Sequence, residues 1–304
     1  MAGKKSETGN ASVNNLVDLL LGRKGEKDNK EAFDICKKSA ELGDYGSMGR
    51  LGRMYRDGIG TEANLDLAIE YMGKAFGRGI KWADKEYIDL LLLRNTEKDN
   101  KEAFEKLVHR ALMGDISSLE SIGRMYREGT FITQDERSAT DVMMLAYRNG
   151  SKSVRMNLVD MIYSNEYRDY YLQAFEICGE LAEENNAGGY GRLARMYRDG
   201  IGTEVDLNMA ADWMEKALKN NIGWAKLELT DILIARSNES DKKRAFELCS
   251  ELTEENNAGG YGRLARMYRD GWGVNADSNK AKSMMKKAAD MGVKWAQDEY
   301  AKMF

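Results

Sequence analysis

The sequence predicts an all-α fold, a right-handed α-solenoid of antiparallel helix pairs, and three observations carry that expectation. The signature Arg-Met-Tyr-Arg recurs at Arg53–Arg56, Arg124–Arg127, Arg195–Arg198 and Arg266–Arg269, each copy 71 residues after the last. Ala-Phe pairs ending at Phe33, Phe104, Phe175 and Phe246 keep the same step. So do Asp18, Asp89, Asp160 and Asp231, each set in an apolar run. A fixed period of this kind means that one supersecondary unit repeats and buries its apolar face against its neighbours.

Each 71-residue unit divides into two helix pairs offset by 36 and then 35 residues. Shifting Gly46, Leu51 and Tyr55 by 36 gives Trp82, Tyr87 and Leu91, again one apolar helical face. The spacing therefore predicts eight pairs over 13–292. First (A) helices are expected to start near 13, 46, 82, 117, 152, 188, 224 and 259, and second (B) helices near 29, 64, 99, 136, 168, 206, 240 and 277. A last helix at 293–304 lacks a B partner and suits a terminal cap. Residues 1–12 read as a disordered N-terminal segment.

Within the signature A helix, Met48, Leu51 and Tyr55 recur as Leu119, Ile122 and Tyr126, then Tyr190, Leu193 and Tyr197, then Tyr261, Leu264 and Tyr268. Spacing of i, i+3, i+7 is one helical face, read as core. Gly58, Gly129, Gly200 and Gly271 end these helices, where a left-handed residue favours glycine. Three copies continue as Gly-x-Gly; none extends to a phosphate-cradling fingerprint or follows a strand, so these are turns.

Composition narrows the function classes. The 46 basic and 50 acidic residues nearly cancel, which argues against a nucleic-acid partner. Apolar runs such as Leu90–Leu93 are far too short to cross a bilayer, and the first residues show no secretory h-region. Cys36, Cys178 and Cys249 share one repeat position with Leu107, as small buried hydrophobes would, and point to a reducing, cytoplasmic setting. Helical architecture accounts for part of the absence of proline.

The run Leu51-Gly52-x-x-Tyr55-x-x-Gly58-x-Gly60, then Leu67-Ala68-x-x-Tyr71-x-x-Lys74-Ala75-x-x-x-Gly79, resembles the Sel1-like repeat, a relative of the tetratricopeptide repeat. Leu264-Ala265-x-x-Tyr268-x-x-Gly271-x-Gly273, with Lys280-Ala281 and Lys287-Ala288-x-x-x-Gly292, does the same. The resemblance covers 13–304, strongest in the three Gly-x-Gly copies; the intervening pairs look like degenerate repeats. It implies a curved solenoid acting as a protein-interaction scaffold or adaptor without catalysis, often beside signalling or polysaccharide-biosynthesis machinery.

Chemistry has no visible carrier. The one histidine, His109, has Lys38, Glu180 and Glu251 as repeat equivalents, a generic surface position. No metal-ligand cluster, nucleophile–base pair or cofactor motif is present, so no enzyme activity, metal or cofactor is expected. Trp82, Trp224 and Trp295 share a position near A-helix starts, held by Ser153 in the second copy, and read as packing between pairs. The pattern that stands above this background is arginine. Opposite the apolar face lie Arg50 and Arg53, with Arg56 on the flank; their equivalents are Ser121, Arg124 and Arg127, then Arg192, Arg195 and Arg198, then Arg263, Arg266 and Arg269. Two readings compete. The planar guanidinium fork suits a carboxylate or phosphate partner, and the resemblance, which implies A helices on the concave surface, puts there a stripe for an acidic peptide or a phosphate-bearing chain. Alternatively the arginines pair internally, with Asp57, Glu128, Asp199 and Asp270 at i+4 or with neighbouring helices. The leading expectation is a scaffold for a peptide or protein. The alternatives are a binder of an anionic polymer (nucleic acid or charged glycan) and the repeat arm of a longer enzyme.

Overall fold

The computed structural model describes residues 11–303, and among these it is all-α, with no strand. Residues 1–10, most of the segment expected to be disordered, lie outside the described residues; Ala11 and Ser12 belong to the first helix. The chain forms two compact units that divide between Ser151 and Lys152.

The first unit holds four helix pairs: α1 (Ala11–Gly22) with α2 (Glu26–Glu41), α3 (Tyr45–Asp57) with α4 (Leu65–Phe76), α5 (Lys81–Arg94) with α6 (Glu97–Leu112), and α7 (Ile116–Glu128) with α8 (Glu136–Arg148). The second holds α9 (Arg155–Ser164) with α10 (Tyr171–Glu183), α11 (Ala187–Asp199) with α12 (Leu207–Lys219), α13 (Ala225–Arg236) with α14 (Glu239–Glu254), and α15 (Ala258–Asp270) with α16 (Ser278–Asp290). α17 (Lys294–Ala301) follows without a partner. Within each unit, each helix packs on the next in sequence.

Local chemistry sets the helix ends. Asp44, Asn186 and Asn257 cap signature helices by accepting the backbone N–H three residues on, at 2.9, 3.0 and 3.1 Å. Gly58, Gly129, Gly200 and Gly271 close them with φ near 70°. One B helix starts late. Arg94 and Arg236 grip Asp99 and Asp241 in the first turns of α6 and α14, with Thr96 and Asn238 as caps. The third 71-residue copy has Asn165 and Tyr170 at those positions. A 3-10 turn, Arg168–Tyr170, precedes α10 there, without a side-chain cap hydrogen bond among the described residues.

The core is where the repeats place it. Leu51, Leu193 and Leu264 are buried, as are Ala194 and Ala265. Each anchor phenylalanine stands edge-on to the signature tyrosine: Phe33–Tyr55, Phe104–Tyr126, Phe175–Tyr197 and Phe246–Tyr268, with ring centroids 5.2–6.1 Å apart. Two of the three sequence anchors therefore repeat together because they touch.

Candidate functional site

The arginines sit on the A helices, and in three copies each is gripped by carboxylates from neighbouring A helices. Arg50 reaches back to Asp18 on α1 at 2.5 Å, Arg192 to Asp160 on α9 at 2.5 and 2.7 Å, and Arg263 to Asp231 on α13 at 2.5 Å. Arg53 reaches forward to Glu86 on α5 at 2.7 Å, Arg195 to Glu228 on α13 at 2.7 Å, and Arg266 to Glu299 on α17 at 3.0 Å. Arg56, Arg198 and Arg269 each donate to the adjacent Asp57, Asp199 and Asp270 at 2.7 Å and also approach Glu86, Glu228 and Glu299. The hydrogen bond from Arg56 holds the Asp57 carboxyl below its usual range, and Arg269 does the same to Asp270.

This arrangement explains the doubled period. Signature helices α3, α11 and α15 supply guanidinium groups, while the intervening α1, α5, α9, α13 and α17 supply carboxylates. A 35- or 36-residue repeat would have placed like charges opposite each other. Three members of the third sequence anchor, Asp18, Asp160 and Asp231, supply the backward-facing carboxylates of this ladder. The i+4 pairing with Asp57 that the sequence permits is not the one formed by Arg53.

Each forward-reaching arginine also covers an indole: Arg53 over Trp82, Arg195 over Trp224 and Arg266 over Trp295, at 4.0–4.1 Å from the ring centroids. The tryptophans are packing groups.

The second copy departs from this pattern. Ser121 stands where the other copies have arginine, and Asn157 and Ser153 replace the forward carboxylate and the indole. Arg124 is exposed; among the described residues its one side-chain partner is the Ser121 hydroxyl, at 3.4 Å. Arg127 lies 3.9 Å from Glu128. Among the described residues, ten of the eleven candidate arginines thus stand within ion-pairing distance of a carboxylate, and Arg124 is the exception.

The same copy carries a feature that the sequence reading missed. Leu112, Leu145 and Val108 are exposed and border an apolar cavity of about 270 Å³ with Ala111, Gly114 and Leu119. The equivalents of Leu112 are Glu41, Glu183 and Glu254, and those of Leu145 are Lys74, Lys216 and Lys287. In later copies this space is filled from within. Tyr190 and Tyr261 replace Leu119; the Tyr190 hydroxyl bonds Asn185, the equivalent of Gly114. The Tyr261 hydroxyl bonds the carbonyl of Thr253, the equivalent of Ala111, at 3.0 Å and accepts from Lys287, the equivalent of Leu145, at 2.5 Å. Comparing the solvent-facing positions copy by copy would have found it.

His109 is exposed on α6. Among the described residues no cluster of His, Cys, Asp or Glu is arranged to hold a metal ion, and no helix is long and apolar enough to cross a membrane.

Comparison with known proteins agrees with the repeat architecture. A family model described as Sel1 repeat matches residues 19–44, 47–79, 117–140, 189–222 and 260–293. In fold the chain is similar to a protective antigen of uropathogenic Escherichia coli that displays an SLR fold, at 22% identity and a TM-score of 0.62. That match covers 91% of this chain but 60% of the antigen's length. It is also similar to a Sel1 repeat protein from Oxalobacter formigenes, at 20% identity, 96% and 89% coverage and a TM-score of 0.60. A third likeness is the C-terminal part of a TPR repeat-containing protein from Cytophaga hutchinsonii, at 17% identity, 94% and 97% coverage and a TM-score of 0.50. With five matched repeats, edge-on Phe–Tyr pairs at each signature and glycine-closed A helices, the chain belongs to the Sel1 repeat family.

Proposed function

We propose that this chain is a non-catalytic interaction scaffold that binds a peptide or protein partner, and that the apolar cavity beside Leu112 and Leu145 is where an apolar side chain of that partner docks. The carrying observation is the change at solvent-facing positions: charged in the other copies, they are leucine here, around a space that a tyrosine occupies in later copies. Exposing leucine costs free energy unless something covers it. The fold of the family, commonly a protein-interaction scaffold, supports the same reading. Of the arginines read from sequence as partner-binding, Arg124 is the one left open to a partner, while internal pairing of the other ten weighs against an anionic polymer. Three unpaired, buried cysteines support a cytoplasmic setting.

Peptide display on the immobilised chain tests this. The wild type is expected to select peptides with an aromatic or large aliphatic residue, and Leu112→Glu with Leu145→Lys to lose them by about tenfold or more at unchanged melting temperature. Selected ligands indifferent to the substitutions, or binding that instead falls steeply with salt, would replace this reading with the polymer one.

A further inference from the structure

The gap in the arginine ladder of the first unit is a second feature, on the other side of α7. Asp18, Asp160 and Asp231 each hold a guanidinium donated from the next signature helix, 32 residues on. The fourth member, Asp89, meets Ser121 at that position, and Ser121 turns its hydroxyl back to the Ser117 carbonyl at 3.1 Å. Shortening arginine to serine leaves an open cleft of about 370 Å³ bordered by Asp89, Leu92, Asn95, Ser121, Arg124 and Glu128. Asp89 is exposed and, among the described residues, receives no hydrogen bond or ion pair; Arg56, held by Asp57, acts on it only at longer range. Arg124, at the cleft's flank, has no carboxylate partner among the described residues. Among the described residues the cleft therefore carries one unmatched negative group and one unmatched positive group, Asp89 on α5 and Arg124 on α7.

We propose that this cleft is a binding site for an arginine side chain of a partner polypeptide, with Asp89 taking its guanidinium and Arg124 taking an acidic group on the same partner. Three other copies of the same surface supply the warrant. Each shows that a guanidinium fits against this aspartate, that the neighbouring arginine (Arg53, Arg195 or Arg266) tolerates it, and that this neighbour in turn takes a carboxylate. The planar fork gives two parallel hydrogen bonds to a carboxylate, which an ammonium cannot. That the guest is a polypeptide rests on the scaffold reading; the guanidinium site does not.

Backbone-amide NMR titration with Nα-acetyl-arginine amide tests the site by itself. Saturable shifts are expected at the amides around Asp89 and Ser121, weaker by several-fold with Nα-acetyl-lysine amide, and absent in Asp89→Asn. Ser121→Arg should also abolish them by filling the cleft from within, while raising the melting temperature by about 1–3 °C, which shows that the variant is folded. Shifts missing in the wild type, or persisting in Ser121→Arg, would overturn the site. For the second half, short peptides pairing one arginine with a glutamate at graded spacings should bind several-fold tighter at one spacing than their glutamine counterparts, and Arg124→Ala should erase that preference. Equal affinities at every spacing would remove Arg124 from the site. Neither result depends on the Leu112–Leu145 cavity, so the two readings fail separately.

Discussion

The indole of Trp224 lies against Gly191 so closely that a β-carbon on the glycine would sit 2.2 Å from the ring. Gly49–Trp82 and Gly262–Trp295 repeat the relationship at 2.3 and 2.4 Å. Arg195 covers the same indole that Gly191 admits. Glycine, indole and arginine form one joint between successive A helices. Where the indole is lost, in the second copy, the glycine is lost with it: those positions hold Glu120 and Ser153.

This joint predicts strong coupling. Gly191→Ala forces a methyl into the ring and is expected to cost about 1–3 kcal/mol. Trp224→Ala is expected to cost about 2–4 kcal/mol, since the indole is partly exposed. In the Trp224→Ala background the alanine should become neutral or stabilising, because the clash is gone and alanine favours helix by about 1 kcal/mol over glycine. Urea unfolding of the four proteins gives the coupling energy; costs that add within about 0.5 kcal/mol would mean the contact does not hold the helices.

Among the described residues, ten candidate arginines lie within ion-pairing distance of a carboxylate and Arg124 does not. Arg53, Arg195 and Arg266 each combine a partly exposed ion pair with cation–π cover, so alanine at each is expected to cost about 1–2 kcal/mol. Arg124→Ala is expected to fall within about 0.5 kcal/mol of wild type. Thermal melts of the four single variants decide this. A uniform, negligible effect would return all four arginines to the pool available for binding.

Much of the fold was legible because the Phe33–Tyr55 and Leu51 contacts are local consequences of a repeated unit. The helix starts follow from the same period. The ladder was less legible for a geometric reason. From sequence, Asp57 at i+4 is an eligible partner for Arg53, and Glu86 is one acidic residue among fifty. Only adjacent A helices lying side by side make a residue 33 positions on the nearer carboxylate. The cavity at Leu112 was hidden for another reason: periodicity draws the eye to positions that agree, and this site consists of positions that do not.

Acid should weaken the first turn of α6. Asp99 is almost fully buried, and the hydrogen bonds from Arg94, at 2.6 and 2.7 Å, hold its carboxyl down to about 2 against the opposing effect of burial; Thr96 adds a third at 2.6 Å. An unfolded aspartate titrates near 3.9. Because the folded value is lower, the unfolded chain takes up the proton first as pH falls. The stabilisation is therefore complete above about pH 4 and is lost progressively toward pH 2. Asp99→Asn should lower stability at pH 7 by about 1–2 kcal/mol, discounted because Arg94 is one-third exposed, and the two proteins should converge near pH 2. Unfolding free energies measured across that range test it; a gap that stays constant down to pH 2 would show that the aspartate acts without its charge.

The cysteines should be inert until the chain unfolds. Cys36, Cys178 and Cys249 are fully buried at one repeat position. Arg192 lies near enough to Cys178 to favour the thiolate, yet burial dominates and pushes the thiol up to about 12. Cys249 is likewise pushed to about 12 and Cys36 to about 11. The thiolate is the reacting species, and at pH 8 thiols of that acidity are ionised to roughly one part in a thousand to one part in ten thousand. Access and ionisation therefore act in the same direction. Labelling with an aromatic disulfide reagent at pH 8 should proceed no faster than the protein opens, and should accelerate together at all three sites as urea crosses the unfolding transition. Arg192→Ala should leave the native rate of Cys178 unchanged unless the variant opens more often, which hydrogen exchange at the α10 amides would reveal. Rapid labelling of one cysteine in the native protein would instead mark that thiol as exposed and reactive, and its repeat position as more than a place for a small hydrophobe.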